Sequence, residues 1–331
     1  MALETMTILT QDRIEGMNAK GIWPKGLLID RVARSVETQP DAVAVTGINS
    51  MRGRIETVSH NQLWRYARRI AIGLAELGVE KGEVVSYQLP NWWEFTALHL
   101  ACLHIGAITN PVMPIFRQRE LSFMLDYAES KVLIAPKTFR NFDHQAMIEE
   151  LRPALPKLEH VFILDGGGDA SFEAHFLERR WEEEVDAEAL FAARRPDPND
   201  IIEILYTSGT TGQPKGVVRD NGGHMVALKW SMKNIYNVAP GDVYWAASDV
   251  GWVVGHSYIV YAPLLCGNTT ILFEGKPVGT PDAGQFWRVI AEHGVSVLFT
   301  APTAFRAIKK EDPQAELMGQ YDMSKLHTLF L

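Results

Sequence analysis

The stretch Tyr206-Thr207-Ser208-Gly209-Thr210-Thr211-Gly212-Gln213-Pro214-Lys215-Gly216 follows directly on the apolar run Ile201-Ile202-Glu203-Ile204-Leu205. The run has strand length and composition, and it empties into a segment dense in glycine and hydroxyl side chains. Such a loop presents backbone N–H groups, unshielded by side chains, to a polyanion. Gly209, Gly212 and Gly216 let the chain turn and approach closely. Thr207, Ser208, Thr210 and Thr211 add hydrogen-bond donors, and Lys215 brings a point charge for a phosphate. Two familiar loops fail on spacing. In a Walker-type loop, Lys and then Ser or Thr follow the last glycine directly, whereas Gln213 and Pro214 intervene here. Pro214 fixes φ and lacks an N–H, which suits a flap more than a tight cradle at a helix N-terminus. A nucleophile elbow needs glycine two residues before its serine, and Tyr206 stands there.

Upstream of this segment, strand-length apolar runs alternate with amphipathic stretches. Strands are expected at Val84–Gln88, Ala107–Asn110, Val132–Ala135 and Val161–Leu164, with helices at Trp92–His104, Arg119–Ala128 and Gln145–Leu151. An acidic helix is expected at Trp181–Ala193, then a linker at 194–200. Downstream, strands at Val243–Ala246, Thr270–Phe273 and Ser296–Thr300 alternate with helices near His224–Tyr236, Tyr258–Leu265 and Gly284–His293. Alternation of this kind means βα units on largely parallel sheets. The expected fold class is α/β, with two α/β subdomains: an irregular arm over 1–25, a first subdomain over 26–199 and a second over 200–331.

A second cluster, Asp249-Val250-Gly251-Trp252-Val253-Val254-Gly255-His256, follows the strand at 243–246. A large aromatic beside two β-branched residues between two glycines makes an apolar slot for a small ligand. Trp252 could equally be core, and His256 and His224, both read in glycine-rich turns, could be ligand contacts or structural histidines. His99 and His104 have the wrong spacing for one helix face, so they are not read as a metal pair. Trp92 and Trp93, after Pro90-Asn91 at a helix start, read as packing residues. Thr300–Thr303 lies where open α/β sheets place ligands, beyond a strand's carboxyl end.

The 206–216 stretch resembles the phosphate loop of the adenylate-forming enzymes, the AMP-forming acyl-CoA synthetases and their relatives. The segments Arg219–His224, Ala247–Tyr258 and Phe299–Arg306 extend the likeness to short-chain acyl-CoA synthetases. Residues 200–331 are most similar to propionyl-CoA synthetases. Residues 25–165 look closer to ligases of larger acids, which suggests a change of subfamily near 194–200. The resemblance implies that Thr207, Ser208, Gly209, Thr210, Thr211, Gly212, Lys215 and Gly216 bind the phosphates of ATP, with Mg²⁺ bridging them and no direct protein ligand to the metal. It assigns Trp252, Val253, Val254 and His256, and more weakly Thr303, to the acid pocket. Acetate-preferring relatives often carry threonine where this chain has Val254, so a propionate-like acid is implied, with coenzyme A as the final acceptor. Rival readings are an adenylating enzyme that loads a carrier protein and an inactive nucleotide-binding fragment.

In that family an adenine-binding segment, an aromatic-Thr-Glu motif and a C-terminal lid with the adenylating lysine come after the region matched here. The expectation is thus a truncated N-terminal domain without a lid, with no catalytic residue assigned and no turnover alone. Composition narrows the rest. The chain has 331 residues, 47% of them hydrophobic, and a net charge of −8. An acidic chain of pI near 5.7 argues against a general nucleic-acid binder, which would carry a basic face. Cys102 and Cys266 lie in apolar stretches without metal spacing and read as buried free thiols of a reducing compartment. Residues 1–13 lack a secretory h-region, and no apolar run is long enough to span a membrane. A cytoplasmic location without membrane attachment is expected.

Overall fold

A computed structural model of the chain describes residues 10–23, 26–207 and 215–331. Its strands, in chain order, are β1 (Val43–Asn49), β2 (Arg54–Ser59), β3 (Val84–Tyr87), β4 (Ile108–Pro111), β5 (Val132–Pro136), β6 (Thr138–Phe139), β7 (Phe142–Asp143) and β8 (His160–Leu164). These are followed by β9 (Ile201–Thr207), β10 (Lys215–Asp220), β11 (Val243–Ala247), β12 (Thr269–Glu274), β13 (Val297–Thr300) and β14 (Thr328–Phe330). The chain divides into two units. Unit 1 holds Met1–Arg31, Trp64–Leu89 and Ala97–Ala227, and unit 2 holds Val32–Leu63, Pro90–Thr96 and Leu228–Leu331.

Unit 1 is built on a sheet of order β10-β9-β4-β3-β5-β8. Every pairing in it is parallel except β9 with β10, which is antiparallel. All residues of β3, β4 and β5 are buried, as expected for parallel strands covered on both faces. The helix Gln118–Tyr127 packs Leu121, Met124 and Leu125 onto Leu133, Ala135 and Ile163. Asp143 caps the helix His144–Leu151, its carboxylate accepting from the Ala146 N–H at 2.9 Å, because the first turn leaves N–H groups without helical partners.

Unit 2 is built on a sheet of order β14-β13-β11-β12-β1-β2, again parallel except for the last pair, β1 with β2. Its core joins Trp245, Ile271, Phe273 and Leu298 from the sheet to Phe286, Trp287 and Ile290 of the helix Gln285–His293. Burying each such side chain contributes about 1.5–3 kcal/mol. That helix stops at Gly294, in the left-handed region at φ 62°, whose N–H caps the Ile290 carbonyl; a side chain is strained there.

Four expectations change. The arm is not wholly irregular: Gln11–Ala19 is a helix capped by Thr10, though it buries no residue. Residues 181–193 do not form one helix. A 3₁₀ turn over Trp181–Glu183 precedes the helix Ala187–Ala193, and Asp186 starts the latter by accepting from the Ala189 N–H. The units do not follow a cut at residue 200. β9 joins the unit 1 sheet through β4, while β1 and β2 belong to the unit 2 sheet, because strand pairing is set by shape and burial rather than by order along the chain. Cys102 is buried and Cys266 only half-buried; burial pushes the Cys102 thiol far above its usual range. No helix among the described residues is long and apolar enough to cross a membrane.

Candidate functional site

In unit 1 the candidate segment begins where β9 ends. Thr207 pairs with Lys215 and Tyr206 with Gly216 in the antiparallel register of β9 and β10. Since β9 is parallel to β4, Thr207 lies at the carboxyl edge of the sheet, where open α/β sheets bind ligands. Ser208, Gly209, Thr210, Thr211 and Gly212 lie outside the described residues. Lys215 and Gly216 are exposed, so the ammonium of Lys215 is open to an anion from solvent.

The strand that feeds this edge is anchored along its length. The Tyr206 hydroxyl donates to the Met124 carbonyl at 3.1 Å. Burial and neighbouring Tyr127 push its pKa well up, so it remains a protonated donor. Thr109 donates to the Ile202 carbonyl at 3.0 Å. Glu203 is wholly buried, 3.7 Å from the His99 Nε2, while the His99 Nδ1 is 2.5 Å from the Tyr87 hydroxyl. Just past β3, the Gln88 amide donates to the Met113 and Phe116 carbonyls, both at 3.0 Å, and its oxygen is 3.1 Å from the His144 Nδ1. Burial, with Arg117 nearby, lowers the His144 pKa to about 4, so that ring is neutral at physiological pH. His224, read in a turn, sits buried in the first turn of the helix Asn221–Asn234.

In unit 2 the candidate segment follows β11. Asp249 organises the turn: its carboxylate accepts from the Gly251 N–H at 2.9 Å and its carbonyl from the Trp252 N–H at 3.1 Å. The Gly255 N–H then bonds the Trp252 carbonyl at 2.8 Å. Gly255 is required by close approach. A Cβ there would lie 2.4 Å from the Val250 Cα and 2.5 Å from the Asp249 carbonyl oxygen. Gly255–Tyr261 is a π-helix. Thr270 of β12 donates to its Ile259 carbonyl at 2.6 Å, serving one of the groups that the wider turn releases.

The sequence-derived slot is not closed by unit 2. Trp252 is 56% and Val253 41% exposed, Val254 is half-buried, and Thr303, in the first turn of the helix Pro302–Glu311, is exposed. The three-bond turn lifts Trp252 and Val253 outward. His256 lies in the π-helix instead of a glycine turn, and it is fully buried.

Beneath this segment is a polar cluster that periodicity did not reveal. Asn91 donates to the carbonyls of Ser248 and Phe273, both at 2.8 Å, and accepts from the Val250 N–H at 2.9 Å. Trp92, read as packing, donates its indole N–H to the Glu274 carboxylate at 2.9 Å, and Ser50 donates to the other Glu274 oxygen at 3.0 Å. The Arg52 guanidinium lies 3.8 Å from the Trp92 ring centre and 3.1 Å from the Glu94 carboxylate. Burial pushes the Glu94 pKa up to about 7, with Arg52 drawing it back. The only sequence signal was Pro90-Asn91 before a helix, since Pro and Asn mark chain reversals that can present a side chain.

Residues 32–331 match the family model described as AMP-binding enzyme. The chain belongs to that family. As an AMP-binding enzyme it is similar to Acyl-CoA synthetase short-chain family member 3, mitochondrial, of Mus musculus, with 41% identity over 317 residues, 91% of this chain and 45% of that protein. It is 36% identical to the Propionate--CoA ligase of Escherichia coli over 313 residues, 91% of this chain and 48% of that protein. Acetoacetyl-CoA Synthetase from Streptomyces lividans superposes with a TM-score of 0.78 at 25% identity, over 92% of this chain and 46% of that one. The chain thus spans about half the length of the relatives it matches. Each match runs through both halves of this AMP-binding chain.

Proposed function

We propose that the chain belongs to an enzyme that activates a short-chain, propionate-like carboxylic acid with ATP and passes it to coenzyme A. A carboxylate oxygen attacks the α-phosphorus; the new O–P bond gives acyl-AMP, and the bond to pyrophosphate breaks. The coenzyme A thiolate then attacks the acyl carbon and AMP leaves with the bonding pair. The first step is dominated by positioning and neutralisation of charge. In this reading Thr207, Ser208, Gly209, Thr210, Thr211, Gly212, Lys215 and Gly216 hold the β- and γ-phosphates. Trp252, Val253, Val254, His256 and Thr303 receive the acid. Mg²⁺ bridging those phosphates belongs to the same reading and is given no protein ligand and no step. No residue is assigned to coenzyme A.

The observation that carries the reading is the closure of β9 and β10 at Thr207 and Lys215, on the carboxyl edge of a parallel sheet, with Lys215 exposed. That donor set suits a polyphosphate. The relatives' names, which include a propionate ligase and short-chain acyl-CoA synthetases, favour a short acid and coenzyme A over a carrier protein. Carboxylate-dependent exchange of labelled pyrophosphate into ATP tests the first step. Exchange without coenzyme A, followed by acyl-CoA formation on its addition, is expected of the enzyme containing this chain. Exchange that leads only to an acylated carrier protein would overturn the second step.

A further inference from the structure

Asn91 makes three hydrogen bonds to backbone groups, two in the segment that follows β11 and one in β12, and it is buried. One donor reaches Ser248, the first residue after β11, and the same amide nitrogen reaches Phe273 near the end of β12. Its oxygen takes the Val250 N–H. A single planar amide therefore sets the distance between the carboxyl ends of β11 and β12 and the direction in which the chain leaves β11. The residues that follow in the turn are Gly251, Trp252, Val253 and Val254. Asn91 is itself held on its C-terminal side. Trp92 is bonded to Glu274, and Glu94 is paired with Arg52, which also covers the Trp92 ring. Gly255 closes the other end of the turn by its approach to Val250. The turn is thus fixed at both ends, at one by a side chain and at the other by the lack of one.

We infer that Asn91 is a positioning residue for acid selection: by fixing Ser248 and Val250 it sets where Trp252 and Val254 stand, and so which alkyl length is preferred. The inference rests on the reading of 252–254 as the acid-contacting segment. Asn91 touches no substrate in this role. A change at Asn91 should alter discrimination between acids without altering phosphate binding at 207–216.

The test uses Asn91→Asp, which keeps the size and the acceptor for Val250 but loses both donors, together with Asn91→Ala and Val254→Thr. Acetate, propionate and butyrate are the probes, with binding to the 331-residue chain followed by saturation-transfer NMR and ATP binding titrated in parallel. Amide hydrogen exchange reports the backbone. In N91A, which removes the acceptor, the amides of Val250 and Gly251 should exchange about tenfold faster or more, while those of Ile271 and Leu272 within β12 keep their protection. The propionate-over-acetate ratio should fall by up to about tenfold, the low end of what one methylene in an apolar pocket allows, and ATP affinity should not move. An unchanged acid ratio in a folded N91D or N91A, with V254T still shifting it, overturns the role of Asn91 and leaves the acid-site reading standing. If V254T shifts nothing, or the parent chain binds none of the acids, the acid-site reading falls and the inference falls with it. Exchange that rises equally through β12, or unfolding of both Asn91 variants, would show a general structural role and overturn the specific one.

Discussion

The two candidate segments are held in different ways. In unit 1, β9 and β10 meet at Thr207 and Lys215 through a backbone ladder, and side-chain anchors (Tyr206 to Met124, Thr109 to Ile202) grip the strand along its length. In unit 2 the segment after β11 is gripped directly, by Asn91 at Ser248 and Val250 and by the close approach of Gly255. A phosphate chain is long and multiply charged, so it can be met by a run of donors with one strong cation. A short acid offers one carboxylate and a few methylenes, and distinguishing acids by a single methylene requires a wall that does not move. The contrast between a strand anchored along its length and a turn gripped directly fits the two ligands proposed above.

The hardest test of that contrast is Gly255→Ala. The added methyl meets backbone rather than a flexible side chain, so the expected loss is about 3 kcal/mol or somewhat more, read as a lowered urea midpoint of the chain. An unchanged midpoint would remove the steric half of the turn's support.

Buried titratable groups give the two units opposite responses to pH. In unit 1 burial lowers the His104 pKa to about 3, and His144 lies near 4. Below the free histidine value of 6.5 the unfolded chain takes up protons that the folded chain refuses, so these groups cost stability as pH falls from 6.5 toward 3. In unit 2 burial raises Glu94 to about 7. Between 4.5 and 7 the folded chain keeps a proton that the unfolded chain releases, so this group costs stability as pH rises through that window. Each contributes a slope of up to roughly 1.4 kcal/mol per pH unit. His104→Phe should therefore flatten the acid-side rise in stability, and Glu94→Gln should steepen it between pH 4.5 and 6.5. Urea midpoints across pH 4–7 decide; slopes that move in the same direction for both variants would contradict the assignment.

Lys215→Ala should remove one charge-assisted contact to phosphate, worth about 1.5–3 kcal/mol, and leave the unfolding midpoint unchanged because the side chain is exposed. Titration with ATP or pyrophosphate measures it. Equal affinities for variant and parent would strip Lys215 of its role. The smallest effect is expected for Val254→Thr in the enzyme containing this chain. A hydroxyl replaces a methyl, and preference should shift toward acetate by about 1 kcal/mol, near the low end of what one methylene allows. Comparison of kcat/KM for acetate, propionate and butyrate checks this, and a parent that already favours acetate would break the acid-site reading.

Much of the βα order was legible because it is local. The runs at Val132–Pro136 and Val243–Ala247 are apolar, of strand length and bounded by breakers, and they appear as strands within a residue or two of expectation. The segment 181–193 misled because its acidic residues suit a helix by composition, whereas Asp186 starts a new helix by taking the Ala189 N–H. His256 misled in another way. Glycines on its N-terminal side suggested a turn, yet Gly255 is there to let the π-helix begin against Val250.

What the amino-acid sequence determined by itself is the alternation of strands and helices, the glycine- and threonine-rich exit from β9, and the residue types on which the proposed phosphate and acid sites rest. All of these depend on neighbours within a few positions, where propensity and side-chain chemistry act directly. Only the tertiary structure decided that β1 pairs with β12, that β9 belongs to the sheet of unit 1, and that Asn91 reaches Ser248 and Phe273, 157 and 182 residues away. Those contacts exist because buried backbone carbonyls and N–H groups must find partners wherever packing brings them, and no pattern along the chain records which side chain will be there.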